Sequence, residues 1–134
     1  MEMLLGTDII EVDRIKRAIE NGGRKFSEKV FTLNEIEYCE SRKAGKYQSY
    51  AARFAAKEAV SKAFGTGIGK NAAFSEIEIL KDSLGKPYVR LSGKAKEFYD
   101  SLGTAGISVS LSHCRAYAVA YAVISLGDSF KNKI

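Results

Sequence analysis

The sequence predicts an α+β domain, a mostly antiparallel sheet packed on one long central helix. Three observations predict it. Ser49 to Gly67 reads as an alanine-rich helix closed by a Gly-Thr-Gly stop. The final third alternates as two strands, Ile107 to His113 and Ala116 to Ile124. Strands come in hairpins and helices in groups, in the order β-α-α-α-β-β-α-β-β. With 134 residues the chain fits a single domain, 1–134. A domain of that size buries roughly two-thirds of its unfolded surface and needs no staples.

Met3 to Ile10 reads as a short buried strand with Asp8 in its middle. A carboxylate in an apolar run is costly unless something meets it, and a helix cap or an arginine would serve as well as a metal. Glu11 to Asn21 is predicted helical from the spacing of Val12, Ile15, Ala18 and Ile19, with Gly22-Gly23 ending it. Arg14, Lys16, Arg17, Arg24 and Lys25 face only Glu20 here, the strongest local basic bias in the chain. A solvated face accounts for that cluster as readily as a docking patch for an acidic partner. Phe26 to Phe31 is then a connector. Thr32-Leu33-Asn34-Glu35 is a capping-box pattern and starts a helix at Leu33 that runs to about Lys43.

The central helix carries Ala51, Ala52, Ala55, Ala56, Ala59 and Ala63. Ala52, Ala56, Ala59 and Ala63 share a face smooth enough for another backbone to approach closely. Charge interrupts it only at Arg53, Lys57, Glu58 and Lys62. Glu58 and Lys62 are spaced as an i,i+4 pair worth a few tenths of a kcal/mol. They equally suit a metal and a phosphate beside a Gly-rich turn. Glu76 to Leu80 and Pro87 to Leu91 are predicted strands around a turn at Asp82 to Lys86, and Ser92 caps a short helix stopped by Gly103. In the last two strands Ser108, Ser110 and Ser112 alternate with Val109, Leu111 and His113, and alanines alternate with Tyr117, Val119, Tyr121 and Val123. The serines and alanines are expected on one small-residue sheet face that seats the helix. The tail, Gly127 to Ile134, is expected to be loosely ordered.

Composition narrows the function. Cys39 and Cys114 form no C-x-x-C pair and there is a single His, so no zinc-ligand set exists. No signal peptide is expected at the N-terminus, and Ala116 to Leu126 is too short to span a bilayer. A cytoplasmic protein without a membrane role is expected. The net charge of +5 favours an anionic partner. A nucleic-acid module would interleave basic residues with exposed aromatics on a strand face. The strands here alternate Tyr and Val with Ala and hold little Lys or Arg, so nucleic acid is not the expected partner.

Four pieces now stand together: G-T-D-I-I-E-V-D-R from Gly6, F-T-L-N-E-I-E-Y from Phe31, R-F-A-A-K-E-A-V-S-K-A-F-G-T-G from Arg53, and S-L-S-H from Ser110. With G-K-P at Gly85 to Pro87, the chain resembles the holo-[acyl-carrier-protein] synthases, the short 4′-phosphopantetheinyl transferases. The resemblance spans nearly the whole chain, in the family's order. It implies the phosphopantetheinyl transferase fold and a homotrimer with coenzyme A between neighbouring subunits. The Tyr117 and Tyr121 face would be buried there or in ordinary core. The implied reaction moves 4′-phosphopantetheine from coenzyme A to a serine of apo acyl carrier protein, with Mg²⁺, in fatty acid biosynthesis. Asp8 and Glu58 match the family's metal positions, and with Lys62 they are the implied catalytic residues. Lys62 would meet the phosphates, while the base is Glu58 or a metal-held water. Lys46, Arg53 and His113 would face the 3′-phosphate of the nucleotide, with Gly65, Thr66, Gly67 and Pro87 also on the cofactor. Arg14, Arg17 and Arg24 lie where the family docks its acidic carrier. Larger two-lobed relatives carry a third acid where this chain has Ile10.

Overall fold

The computed structural model describes residues 2–127. The elements follow in the expected order: β1 (Met3–Glu11), α1 (Val12–Val30), α2 (Leu33–Ser41), α3 (Lys46–Phe64), β2 (Ile77–Lys81), β3 (Pro87–Leu91), α4 (Gly93–Ser101), β4 (Thr104–His113) and β5 (Tyr117–Leu126). Short 3₁₀ turns occupy Lys43–Gly45 and Phe74–Glu76. The described strands form two antiparallel sheets, β1-β5-β4 and the hairpin β2-β3.

The core sits between α3 and the larger sheet. All six alanines of α3 are buried, so the helix is enclosed on more than one side. Small side chains let β1 come unusually near. A Cβ added at Gly6 would collide with the carbonyl oxygen of Ala59, so strand and helix meet backbone to backbone. On β5 the buried face is Ala118, Ala120, Ala122, Ile124 and Leu126. α3 starts at Lys46, a turn earlier than the sequence suggests, and Gly65 ends it in the left-handed region at φ 84°.

Two expectations fail. The serines of β4 do not share a face with the alanines of β5. Val109 pairs with Ala122 and Leu111 with Ala120, so large β4 residues join the alanines toward α3. Ser108, Ser110 and Ser112 oppose Val123, Tyr121 and Val119 on the outer face. Residues opposite each other in an antiparallel pair share a face, so the register between strands decides this. The outer face also exposes Met3, Leu5, Ile9, Tyr117 and Tyr121. The second failure is in α1, which kinks at Gly23 (φ 57°, ψ −147°) and resumes as helix to Val30. That second segment buries Ser27 and Val30 where a connector was expected.

The capping box at α2 forms as read, with Glu35 N–H donating to Thr32 Oγ1 at 3.3 Å and Thr32 N–H to Glu35 Oε1 at 2.8 Å. The predicted loose tail lies outside the described residues beyond Gly127, whose N–H donates to the Gly103 carbonyl at 2.7 Å. No helix among the described residues is long and apolar enough to cross a membrane.

Candidate active site

The close crossing of β1 over α3 assembles the first cluster. Asp8 lies opposite Ala120 on the inward face of β1, beside the last turns of α3. Lys62 donates to Asp8 Oδ1 at 2.9 Å and to the Thr7 carbonyl at 3.0 Å. The bland i,i+4 pairing is therefore replaced by one across the fold. Asp8 is only 16% exposed at its side chain, so this ammonium answers the cost of a carboxylate in an apolar strand. Glu58, half-buried, shares a cavity of about 370 Å³ with Asp8 and Lys62. Burial pushes the Glu58 carboxyl above its ordinary range, the Asp8 charge adds to that, and Lys62 pulls it back. Arg14 and Phe54 complete the wall that matters for chemistry.

This donor set fits a hard divalent cation. It offers oxygen only, and its two carboxylates repel each other, which a cation between them would relieve. No group of three or more His, Cys, Asp or Glu side chains suited to a metal occurs among the described residues. Ile10 is buried in the core and supplies nothing. Magnesium commonly takes one or two carboxylates and fills its remaining positions from substrate and water.

A second cluster surrounds Arg53. It shares a cavity of about 200 Å³ with Lys81, Gly85, Pro87 and His113. Arg53 is 4% exposed, and its Nε is buried without a hydrogen-bond partner among the described residues. Its guanidinium lies 4.2 Å from the centre of the Tyr38 ring, and Lys81 donates to the Tyr38 hydroxyl at 2.8 Å. Burial alone would raise the Tyr38 phenol, but that hydrogen bond and the charges of Lys81, Arg42 and Arg53 hold it below its ordinary range. A buried guanidinium with a free donor calls for an anion. Sequence reading missed Lys81 and Tyr38. Lys81 had one signal, a basic residue ending the alternating strand at the mouth of a turn.

The remaining predicted residues fall elsewhere. Lys46 is not in the Arg53 wall. It pairs with Glu40 at 3.3 Å and lies 5.2 Å above the Tyr47 ring. Gly65, Thr66 and Gly67 form the turn one step beyond Lys62, where Gly67 N–H donates to the Ser61 carbonyl. Arg17 pairs with Asp13 at 3.4 Å and Arg24 with Glu28 at 3.1 Å, both exposed along α1, so Arg14 alone of the three reaches the cavity. Arg53 and Glu58 stand about 140° apart round α3, so the two cavities open on different sectors of one helix.

Comparison with known proteins identifies the family. The family model described as the 4′-phosphopantetheinyl transferase superfamily matches residues 4–122. The chain is 48% identical over 125 residues to the holo-[acyl-carrier-protein] synthase of Clostridium novyi, covering 93% of this chain and 88% of that one. It is 50% identical over 119 residues to the enzyme of that name from Chlamydia caviae, covering 89% and 93%. Among solved structures, the holo-[acyl-carrier-protein] synthase of Neisseria meningitidis superposes with a TM-score of 0.83 at 32% identity, covering 91% of this chain and 97% of that one. The Helicobacter pylori synthase, solved in complex with coenzyme A, gives 0.81 at 36% identity, covering 91% and 100%.

Proposed function

The chain belongs to the 4′-phosphopantetheinyl transferase superfamily, and from that premise we propose that it loads acyl carrier protein from coenzyme A. The serine hydroxyl of the apo carrier attacks the diphosphate phosphorus that bears pantetheine. A phosphoester forms to the serine, the P–O bond to adenosine 3′,5′-bisphosphate breaks, and the serine proton is lost. The observation that carries this reading is the meeting of Asp8, Glu58 and Lys62 in one cavity walled by Arg14.

Asp8 and Glu58 would hold magnesium, which when bound neutralises charge on the diphosphate oxygens. Lys62 has one N–H left to donate a hydrogen bond to the departing phosphate, because its ammonium has three N–H groups and two acceptors among the described residues. The serine proton would pass to Glu58 or to a water held beside it, and burial and the Asp8 charge raise the Glu58 carboxyl's hold on a proton before any cation binds. Phosphoryl transfer asks mainly for positioning and electrostatics, so the lack of a protein nucleophile is no obstacle. Arg14 stands between the cavity and the exposed basic face of α1, where Arg17 and Arg24 would steer an acidic carrier.

Arg53, Lys81 and His113 would receive the nucleotide's phosphate. Their cavity opens away from Glu58, so a single coenzyme A is best read as lying between copies of the chain. The exposed apolar outer face of β1 and β5 supports a homotrimer. Two free cysteines, Cys39 and Cys114, suit the reducing cytoplasm, where the product would serve fatty acid biosynthesis.

Mass spectrometry of apo carrier protein incubated with coenzyme A, Mg²⁺ and this protein tests the reading. We expect a gain of one phosphopantetheine, lost with Asp8→Asn or Glu58→Gln in folded protein. No mass gain with the wild type would end the proposal, and turnover like wild type in either variant would end the metal assignment.

A further inference from the structure

Lys57 lies between the two clusters and belongs to neither. It follows Arg53 by one helical turn and precedes Glu58, yet its side chain is fully buried. Its ammonium meets three acceptors, Glu35 Oε1 at 2.7 Å, the Phe74 carbonyl at 3.0 Å and the Ile77 carbonyl at 2.6 Å. All three of its protons are thus used. Glu35 is buried as completely, and its Oε2 accepts from Ile79 N–H at 2.9 Å. The backbone entering β2 is pinned at Phe74, Ile77 and Ile79 by one ion pair.

Stability alone is a poor reason for this arrangement. A buried ion pair gives up so much hydration that apolar residues of similar volume serve as well or better. What apolar residues lack is direction. Hydrogen bonds to two carbonyls and an N–H fix where the strand lies along the helix. The pinned segment also reaches both cavities. Phe74 packs on Phe54 with ring centres 5.2 Å apart, and Phe54 walls the Asp8–Glu58 cavity. Ile79 and Lys81 wall the Arg53 cavity, and the hairpin that begins with β2 delivers Gly85 and Pro87 to it.

We propose that Lys57 and Glu35 are positioning residues, a buried pair that locks the β2-β3 hairpin to α3 and so holds the nucleotide-binding wall in register. The pair touches no substrate. Its loss lets the hairpin slide, which loosens coenzyme A at Lys81 and Pro87 while leaving the basic face of α1 unchanged. This rests on the transferase reading for its kinetic consequence but not for its structural one.

The test uses the full-length protein carrying Lys57→Met with Glu35→Gln, which removes both charges together and leaves no unpaired buried ion. Hydrogen exchange without substrate should quicken at the β2 and β3 amides and stay unchanged in β1 and β5. In the transfer assay the KM for coenzyme A should rise on the order of tenfold and the KM for carrier less than about twofold. Should the double variant not fold, Glu35→Asp, which keeps both charges and shortens the reach to the Ile79 N–H, is read by the same two measurements. Exchange and both KM values like wild type would overturn the proposal, as would equal rises in the two KM values. If wild-type protein transfers nothing, the transferase reading fails, and the exchange experiment still decides whether the pair locks the hairpin.

Discussion

Lys62 is held in place before any substrate arrives, by Asp8 Oδ1 and the Thr7 carbonyl. An ammonium tethered at two points needs no reordering to reach a phosphate oxygen, and such preorganised donors act on the transition state. Lys62→Met should therefore lower kcat by roughly 10²- to 10³-fold with little change in the KM for coenzyme A. A change confined to KM would make Lys62 a binding residue. The same substitution has a pH signature. Lys62 is the charge that pulls the Glu58 carboxyl down against burial and Asp8. Without it, in protein free of divalent cation, Glu58 keeps its proton to higher pH. Carbon-13 NMR titration of the Glu58 carboxyl in metal-free Lys62→Met should show it ionising at higher pH than in wild type, and an unmoved titration would show that Lys62 does not hold it down.

The elements matter through how closely they approach. Gly6 meets Ala59 and Ala63 where a Cβ has no room, and the obstructing atoms are helix backbone that no rotamer can move. Gly6→Ala should cost about 3 kcal/mol, the upper end for overpacking, because strand and helix must part. Lifting β1 carries Asp8 from Glu58, so activity should fall further than stability alone explains. Urea unfolding with a loss under about 1 kcal/mol would show that the crossing can relax. This contact was half legible in the sequence. The alanine face announced that some backbone would approach α3, but Gly6 could not be named as the partner without the fold. The order of elements and the capping box could be read because they rest on local spacing, whereas spacing leaves Asp8 a cap and Glu58–Lys62 a surface pair as readily as a site, and only the family resemblance joins the three. Strand alternation shows which residues of one strand share a face and is silent on register, so the sequence alone does not reveal that the serines of β4 oppose Val123, Tyr121 and Val119. Gly22-Gly23 signals a break and does not say whether helix resumes, which Phe26 and Val30 decide by packing. The capping box accounts for Glu35 locally, and its bond to Lys57 depends on tertiary neighbours that no spacing reveals.

For the whole molecule the outer sheet face is the open question that the chain itself poses. Met3, Leu5, Ile9, Tyr117 and Tyr121 are 49–71% exposed on one surface, where single scattered apolar residues would need no explanation but a contiguous set does. Arg53 and Glu58 meanwhile look out on different sectors of α3. Both facts are answered together if copies of the chain close into a ring, each cofactor taking its metal-binding carboxylates from one subunit and its buried arginine from the next. Two inactive proteins then complement each other. Glu58→Gln keeps Arg53, Arg53→Ala keeps Glu58, and in mixed trimers some interfaces regain both. Refolding the two variants together in equal amounts should restore about a quarter of wild-type activity, since each site needs one intact residue from each of two randomly chosen neighbours. Light scattering should give three times the chain mass for the mixture, and Tyr121→Glu in both variants should abolish trimer and recovery alike. If the mixture stays as inactive as its components while remaining trimeric, each subunit binds coenzyme A on its own, and the apolar face joins subunits without building the site.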